Sequence, residues 1–263
     1  MTTPLQFAVS FAASFAAGAI NSVAGGGTLV SFPSLIWLGL PSIVANATST
    51  VAIWPGSLGG MWGFRRELRG IQPSMLALAV PSLIGGITGA VLLQVTPTKV
   101  FDRLVPLLIL FATLLFLAQD PLQRLLARRR ERTAAATERG EEPSGISWLS
   151  GAMLAQLAVG LYGGYFGAGI GILMLAVLGI LGLTDIHQMN ALKNLLALCI
   201  NGVAAIYFIA MGMVSWQFAI VMAIGAIAGG IGGAGLARKL GRTAVRRIVI
   251  AIGFGMSFSL MLR

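Results

Sequence analysis

Apolar residues run almost unbroken along this chain, and the charged positions fall in short groups between them. No Asp, Glu, Lys or Arg occurs in residues 1–64, 73–98, 104–119, 143–184, 194–237 or 248–262. Apolar runs beyond about 18 residues mark membrane-crossing helices. A transmembrane barrel would show short segments of alternating polarity instead. The pattern therefore predicts an all-α polytopic membrane protein. Full helices are expected near 44–64, 73–94 and 101–119, and again near 186–211, 215–237 and 244–262.

Two stretches interrupt the pattern. "NSVAGGGTLVSFP" (21–33) and "GLYGGYFGAGIGIL" (160–173) concentrate glycine inside apolar segments. Each glycine costs a helix interior about 1 kcal/mol relative to alanine. Around the second stretch the arms near 147–161 and 170–183 have about 15 residues each. At 1.5 Å per residue that is about 22 Å, short of a ~30 Å hydrocarbon core. A hairpin of two half-helices is predicted there, and a second one over residues 5–40.

The halves of the chain repeat. Gly18, Gly25 and Gly27 match Gly160, Gly167 and Gly169 at a spacing of 142. Asn46-Ala47 matches Asn190-Ala191 at 144, "GGITGA" (85–90) matches "GGIGGA" (229–234), and Arg103 matches Arg247. Repeats of this kind are common in transporters. The competing reading is coincidence in a sequence rich in Gly and Ala. The division that follows is a first transmembrane repeat 1–119, a polar linker 120–146 and a second repeat 147–263. All ten prolines lie at or before Pro143, so the repeats have diverged.

Composition agrees: 57% of residues are hydrophobic and 10% charged, against roughly 25% charged in soluble domains. The net charge of +10 does not point to nucleic acid, because of where the charges sit. Arg65, Arg66 and Arg69, the run Arg124–Arg132 and the run Arg238–Arg247 all separate apolar segments. That is the positive-inside pattern, which puts these loops, the linker included, in the cytoplasm. Residue 185 must then also be cytoplasmic, so residues 147–184 enter and return on one side. By the same count the first hairpin enters from outside, and the two repeats are inverted, each a Gly-broken helical hairpin plus three transmembrane helices. The linker itself reads as a solvated loop with a short surface helix, or else as a partner or lipid site. Cys199 is the only cysteine, so no disulfide framework exists. The first residues carry no basic segment ahead of the apolar run, so no cleaved signal peptide is expected.

The breaks are the first place to look for chemistry. Helices starting after "AGGG" and "GAG" would present free backbone N–H groups and a positive dipole end, which attract anions. Asn21, Ser22, Gly25, Gly26, Gly27 and Thr28 form the first candidate group. Tyr165, Gly167 and Gly169 form the second, with Tyr162 beside them. The alternative is that such glycines only permit close helix packing, the preferred reading for "GGITGA" and "GGIGGA". In "NATSTVAIWPG" (46–56), Asn46, Thr48, Ser49 and Thr50 either face a hairpin tip or bond back to the previous turn. The equivalent positions in the second half include Asn190, Lys193 and Asn194. Lys193 would lie about 10 Å inside a helix that begins near Ile186. An intramembrane cation is costly and suggests function, unless its long stem snorkels to the interface. Asp185 with Gln188 reads as a helix cap, and His187 as an interfacial helix residue in preference to a proton relay.

What the sequence lacks narrows the classes. No acidic residue lies in the middle of an apolar segment, where cation carriers usually hold one. One histidine and one cysteine cannot build a metal cluster. Neither a nucleophile elbow nor a Walker motif is present, so neither an enzyme nor a resident cofactor is expected.

The stretches "GAINSVAGGGTLVSFPSLIWLGLPSIVANATSTVAIWPGSLGG" and "GLYGGYFGAGIGILMLAVLGILGLTDIHQMNALKNLL" resemble the two repeat signatures of the TauE/SafE family. The resemblance covers nearly the whole chain. It implies an inner-membrane exporter of sulfite, organosulfonates or related sulfur oxyanions. Alternating access at a site between the hairpins would move the anion, one repeat rocking against the other. The second repeat lacks the proline and the Thr-Ser-Thr run of the first, and Lys193 stands where Ser49 does, so an asymmetric site is expected. The partners implied are a small anion and membrane lipid, with a homodimer as the oligomeric option and no nucleic acid. Two other classes fit the residues, an anion channel and a non-transporting scaffold subunit.

Overall fold

The structure is a computed structural model that describes residues 3–23, 26–63, 71, 73–137, 147–181, 183, 185–240 and 242–262. It is helical throughout the described residues. In the first half α1 spans Pro4–Val23, α2 Thr28–Trp37, α3 Ser42–Gly63, α4 Pro73–Leu76, α5 Ala79–Val95 and α6 Thr98–Thr137. In the second half α7 spans Ser147–Tyr165, α8 Ile170–Ile180, α9 Ile186–Ala210, α10 Trp216–Leu240 and α11 Arg242–Met261.

Three departures from the sequence pattern have physical causes. The helix expected over 73–94 is split into α4 and α5 by a turn at Ala77 and Leu78. Pro81 has no N–H to give to the Ala77 carbonyl, so the helical ladder cannot run through that turn. The charged segment after residue 120 continues α6 as helix up to Thr137, where a loop with a short separate surface helix was expected. Its Leu, Gln, Arg, Glu and Ala residues are good helix formers. Lastly, the hairpin arms are unequal. α1 and α7 have 20 and 19 residues, and α2 and α8 have 10 and 11. At 1.5 Å per residue the long arms reach about 30 Å and the short ones about 15 Å. The breaks therefore fall past the middle of each hairpin, toward its second arm.

The halves interlock. α1 lies along α10 and α5 along α7, the two most extensive pairings in the molecule. Small residues let the backbones touch, as in membrane helix pairs. A Cβ at Gly18 would overlap the Ala226 carbonyl, and one at Gly229 the Phe15 carbonyl. Likewise a Cβ at Gly89 would overlap the Leu161 carbonyl, and one at Gly164 the Gly86 carbonyl. α3 packs on α10 and α9, α5 packs on α9, and α6 pairs with α11. α2 touches α11 while α8 touches α6. Exchanging the two halves turns these pairings into one another.

The outside of the bundle is apolar. Val80, Ile84, Ile87 and Val91 on α5 are exposed, as are Leu107, Phe111 and Leu114 on α6 and Ile220, Ile224, Ile227 and Ile231 on α10. The spacing is helical, so each helix turns an apolar stripe outward. Contiguous exposed apolar surface on this scale suits lipid rather than water. Thr98–Gln119 and His187–Ala210 are long and apolar enough to cross a membrane.

Candidate functional site

The two chain breaks come together on α6. Gly26, with φ +104°, lies against the Phe116 ring, and Gly169, with φ +80°, lies against Leu115 and Ala112. Only glycine takes such dihedrals without strain. A second link is aromatic: Phe32 of α2 and Phe166 of the second break stack edge-to-face at 5.3 Å. Phe32, Phe116 and Phe166 are all buried, so the meeting point sits in the main core.

The first break is closed by the chain itself. Asn21, near the end of α1, accepts from the Gly26 and Gly27 N–H groups at 3.0 and 2.8 Å. Two amides that could have met an anion are therefore engaged by its carbonyl oxygen. Thr28 is the first residue of α2 and is half-buried. Gly25 and the Ser22 side chain lie outside the described residues. Ser31, one turn into α2, bonds to the Ser49 hydroxyl at 2.7 Å and donates to the Gly27 carbonyl at 3.3 Å. The sequence reading passed over Ser31, whose only signal is a hydroxyl one turn after Gly27.

The polar run of α3 divides into separate tasks. Asn46 donates from Nδ2 to the Tyr165 carbonyl at 3.0 Å, tying α3 to the second break. Thr48 accepts from the Ser215 N–H at 3.0 Å and so caps the start of α10. Thr50 donates to the Asn46 carbonyl one turn back at 3.0 Å, the local bonding weighed from sequence. Ser49 faces α2 through Ser31.

At the second break α7 ends at Tyr165, and Gly167 and Gly169 both take positive φ before α8 begins. Tyr162 reaches over the break and donates to the Ala168 carbonyl at 2.7 Å, a closing contact with no sequence signal beyond its proximity. The Tyr165 hydroxyl donates to Thr96 Oγ1 at 3.4 Å. α8 starts at Gly169 without a side-chain cap. Lys193 of α9 lies beside this start, its Cδ 3.4 Å from where a Cβ on Gly171 would be. Its ammonium donates to Asn190 Oδ1 at 3.1 Å. Asn194 is half-buried one residue further along. Asp185 caps α9 by accepting from the His187 N–H at 2.8 Å. Among the described residues no group of His, Cys, Asp and Glu could hold a metal ion.

These features define a helical membrane protein whose two glycine breaks are gathered on one helix, with a lysine at the start of α8. The chain belongs to the sulfite exporter TauE/SafE family, whose model matches residues 10–260. It is similar to a "Probable membrane transporter protein" of Haemophilus influenzae, 27% identical over 96% of this chain and 92% of the relative. It is also similar to "Probable membrane transporter protein YfcA" of Escherichia coli, 28% identical over 99% of this chain and 91% of that one. "Probable membrane transporter protein ORF9" of Sinorhizobium sp is 23% identical over 95% of this chain and 90% of its own length. No solved structure matches the chain. Family membership makes this protein a membrane transporter.

Proposed function

We propose that this transporter carries sulfite, an organosulfonate or a related small sulfur oxyanion across the bacterial inner membrane, outward, as a carrier and not an enzyme. The observation that carries the reading is Lys193. Its stem runs past Gly171 in the first turn of α8, and that turn has no side-chain cap. An anion placed beside both would be attracted by the lysine charge and by the positive end of the helix. An oxyanion satisfies both, because its oxygens accept from ammonium, hydroxyl and amide donors together.

In this reading Asn190, Lys193, Asn194, Tyr165, Gly167 and Gly169 form the dominant side of the site. Asn21, Gly26, Gly27, Thr28, Asn46, Thr48, Ser49 and Thr50 line the other side. The capture of two first-break amides by Asn21 supports an asymmetric site weighted toward the second break.

The chain would pass the membrane several times, with inverted repeats 1–119 and 147–263 and the linker 120–146 in the cytoplasm. The exchangeable packing of the halves supports this. The short arms α2 and α8, at about 15 Å, support hairpins whose second arm does not cross a ~30 Å core.

The test is thermal unfolding of the purified protein against sulfite, sulfate, thiosulfate, sulfoacetate, taurine, acetate and chloride. A ligand at about 100 times its Kd adds about 2.7 kcal/mol of apparent stability. One sulfur oxyanion should raise the melting temperature of the wild type and not that of Lys193→Ala, whose own melt stays cooperative. That anion should then show saturable flux in liposomes. A panel without any shift would remove the oxyanion reading.

A further inference from the structure

Asn46 is 1% exposed, and its Oδ1 is buried without a hydrogen-bond partner. The orientation of its amide is fixed. Nδ2 donates to the Tyr165 carbonyl, and turning the group over would set two oxygens against each other. Oδ1 therefore points elsewhere and lacks a donor. Buried polar atoms left in this way in a native fold call for an explanation, a bound ion among them.

The second half of the chain shows what a donor there would be. Asn190 lies 144 residues after Asn46, and Lys193 lies 144 after Ser49. In the second half the Lys193 ammonium donates to Asn190 Oδ1 at 3.1 Å. In the first half the residue at the lysine position is Ser49, too short to bring a charge. Ser31 is 3.3 Å from the Gly27 carbonyl and 2.7 Å from Ser49 Oγ, and with its proton on that carbonyl it accepts the proton of Ser49. Ser49 follows Asn46 by three residues on α3, so the two side chains neighbour each other on the helix surface. Ser49 is fully buried. The α7 terminus at Tyr165, whose carbonyl Asn46 holds, adds the partial negative charge of a helix C-terminus. Ends of broken helices are where transporters hold coupling cations.

We propose that Asn46 Oδ1 and Ser49 Oγ bind a small monovalent cationic centre, in the place that the Lys193 ammonium fills in the other half. An alkali ion from solution and the ammonium head of a small amine share this chemistry. The proposal goes beyond the anion reading: of the residues that line the first-break side, Asn46 and Ser49 would hold a cation beside the anion and not the anion itself, whichever anion is carried.

The test holds chloride constant and follows thermal unfolding while sodium, potassium, lithium or methylammonium replaces choline. At least one small cation should raise the melting temperature saturably in the wild type. Asn46→Ala should lose the shift. Ser49→Lys should also lose it and should melt at or above the ligand-free wild type, because the tethered ammonium fills the place. A response to an alkali ion assigns the centre to an inorganic ion, and a response to methylammonium alone assigns it to an ammonium group. The same small-cation shift in Asn46→Ala and in Ser49→Lys would overturn the proposal. So would a wild type that treats every small cation as it treats choline. Lys193 is retained in every arm, so failure here leaves the oxyanion reading standing.

Discussion

The carbonyl oxygen of Asn21 holds two amides of the first break, those of Gly26 and Gly27. Removing it leaves both donors in a half-buried place without their partner. Each unsatisfied donor costs about 1–3 kcal/mol, so Asn21→Ala should lose about that much stability or more. Denaturant unfolding in detergent reads the loss directly. An unchanged midpoint would mean that the contact between Gly26 and Phe116 holds the break on its own. From sequence, Asn21 was legible as a polar side chain beside a glycine run, and the structure indeed puts it at the break. Its direction was not legible, because a carbonyl that faces a ligand and one that faces the chain have the same neighbours in sequence. The same limit applies to Thr48, whose partner Ser215 lies 167 residues away. Thr50 differs, since its bond is local and spacing alone suggests it. The contacts of Ser31 and Tyr162 depend on how two elements cross, and no pattern along one element encodes that.

Element positions came through the hydrophobic pattern well, because charges are excluded from the apolar segments and mark their ends. Apart from the split over 73–94 and the long end of α6, the full helices fall close to the expected ranges, and both breaks lie at the glycine clusters. Arm lengths did not come through. Apolar residues continue on both sides of each break, so nothing in the pattern says which arm is longer. The end of α6 was missed for a related reason: polarity signals departure from lipid, not the end of a helix. Packing at the element scale can be tested within "GGIGGA". Gly229 faces the Phe15 carbonyl of α1, whereas nothing lies within 4 Å of a Cβ on Gly230 or Gly232. Gly229→Ala should therefore push α10 off α1 at a cost of about 1–3 kcal/mol. Gly230→Ala should be neutral, or stabilise by up to about 1 kcal/mol through helix propensity. Melting both variants side by side checks the assignment. Equal effects would mean that the motif matters through composition and not through the face it presents.

For the whole molecule the question is which parts move. Alternating access was expected as one repeat rocking against the other, but the sequence halves are not separate bodies. α1 of the first half is locked along α10 of the second, and α7 of the second along α5 of the first. Both interfaces are backbone-close, and close-packed interfaces have discrete arrangements rather than continuous slip. Any moving body should therefore be built across the halves, with α1 and α10 travelling together and α5 and α7 together. A crosslink separates the two pictures. Ser14 of α1 and Gly225 of α10 face each other so closely that a Cβ on Gly225 would overlap the serine hydroxyl. A Cβ on Gly225 would also lie 2.8 Å from the Phe11 carbonyl oxygen, so cysteines at these two positions reach the Cβ separation of a disulfide, about 3.5–4.5 Å, once the two helices part by a fraction of an ångström. With Cys199 replaced by alanine, Ser14→Cys/Gly225→Cys should oxidise to a single bridged species. Its anion flux in liposomes should stay close to that of the reduced protein, because the bridge lies inside one body. If the sequence halves were the moving parts, the same bridge would join them, and flux would fall on oxidation and return with reductant.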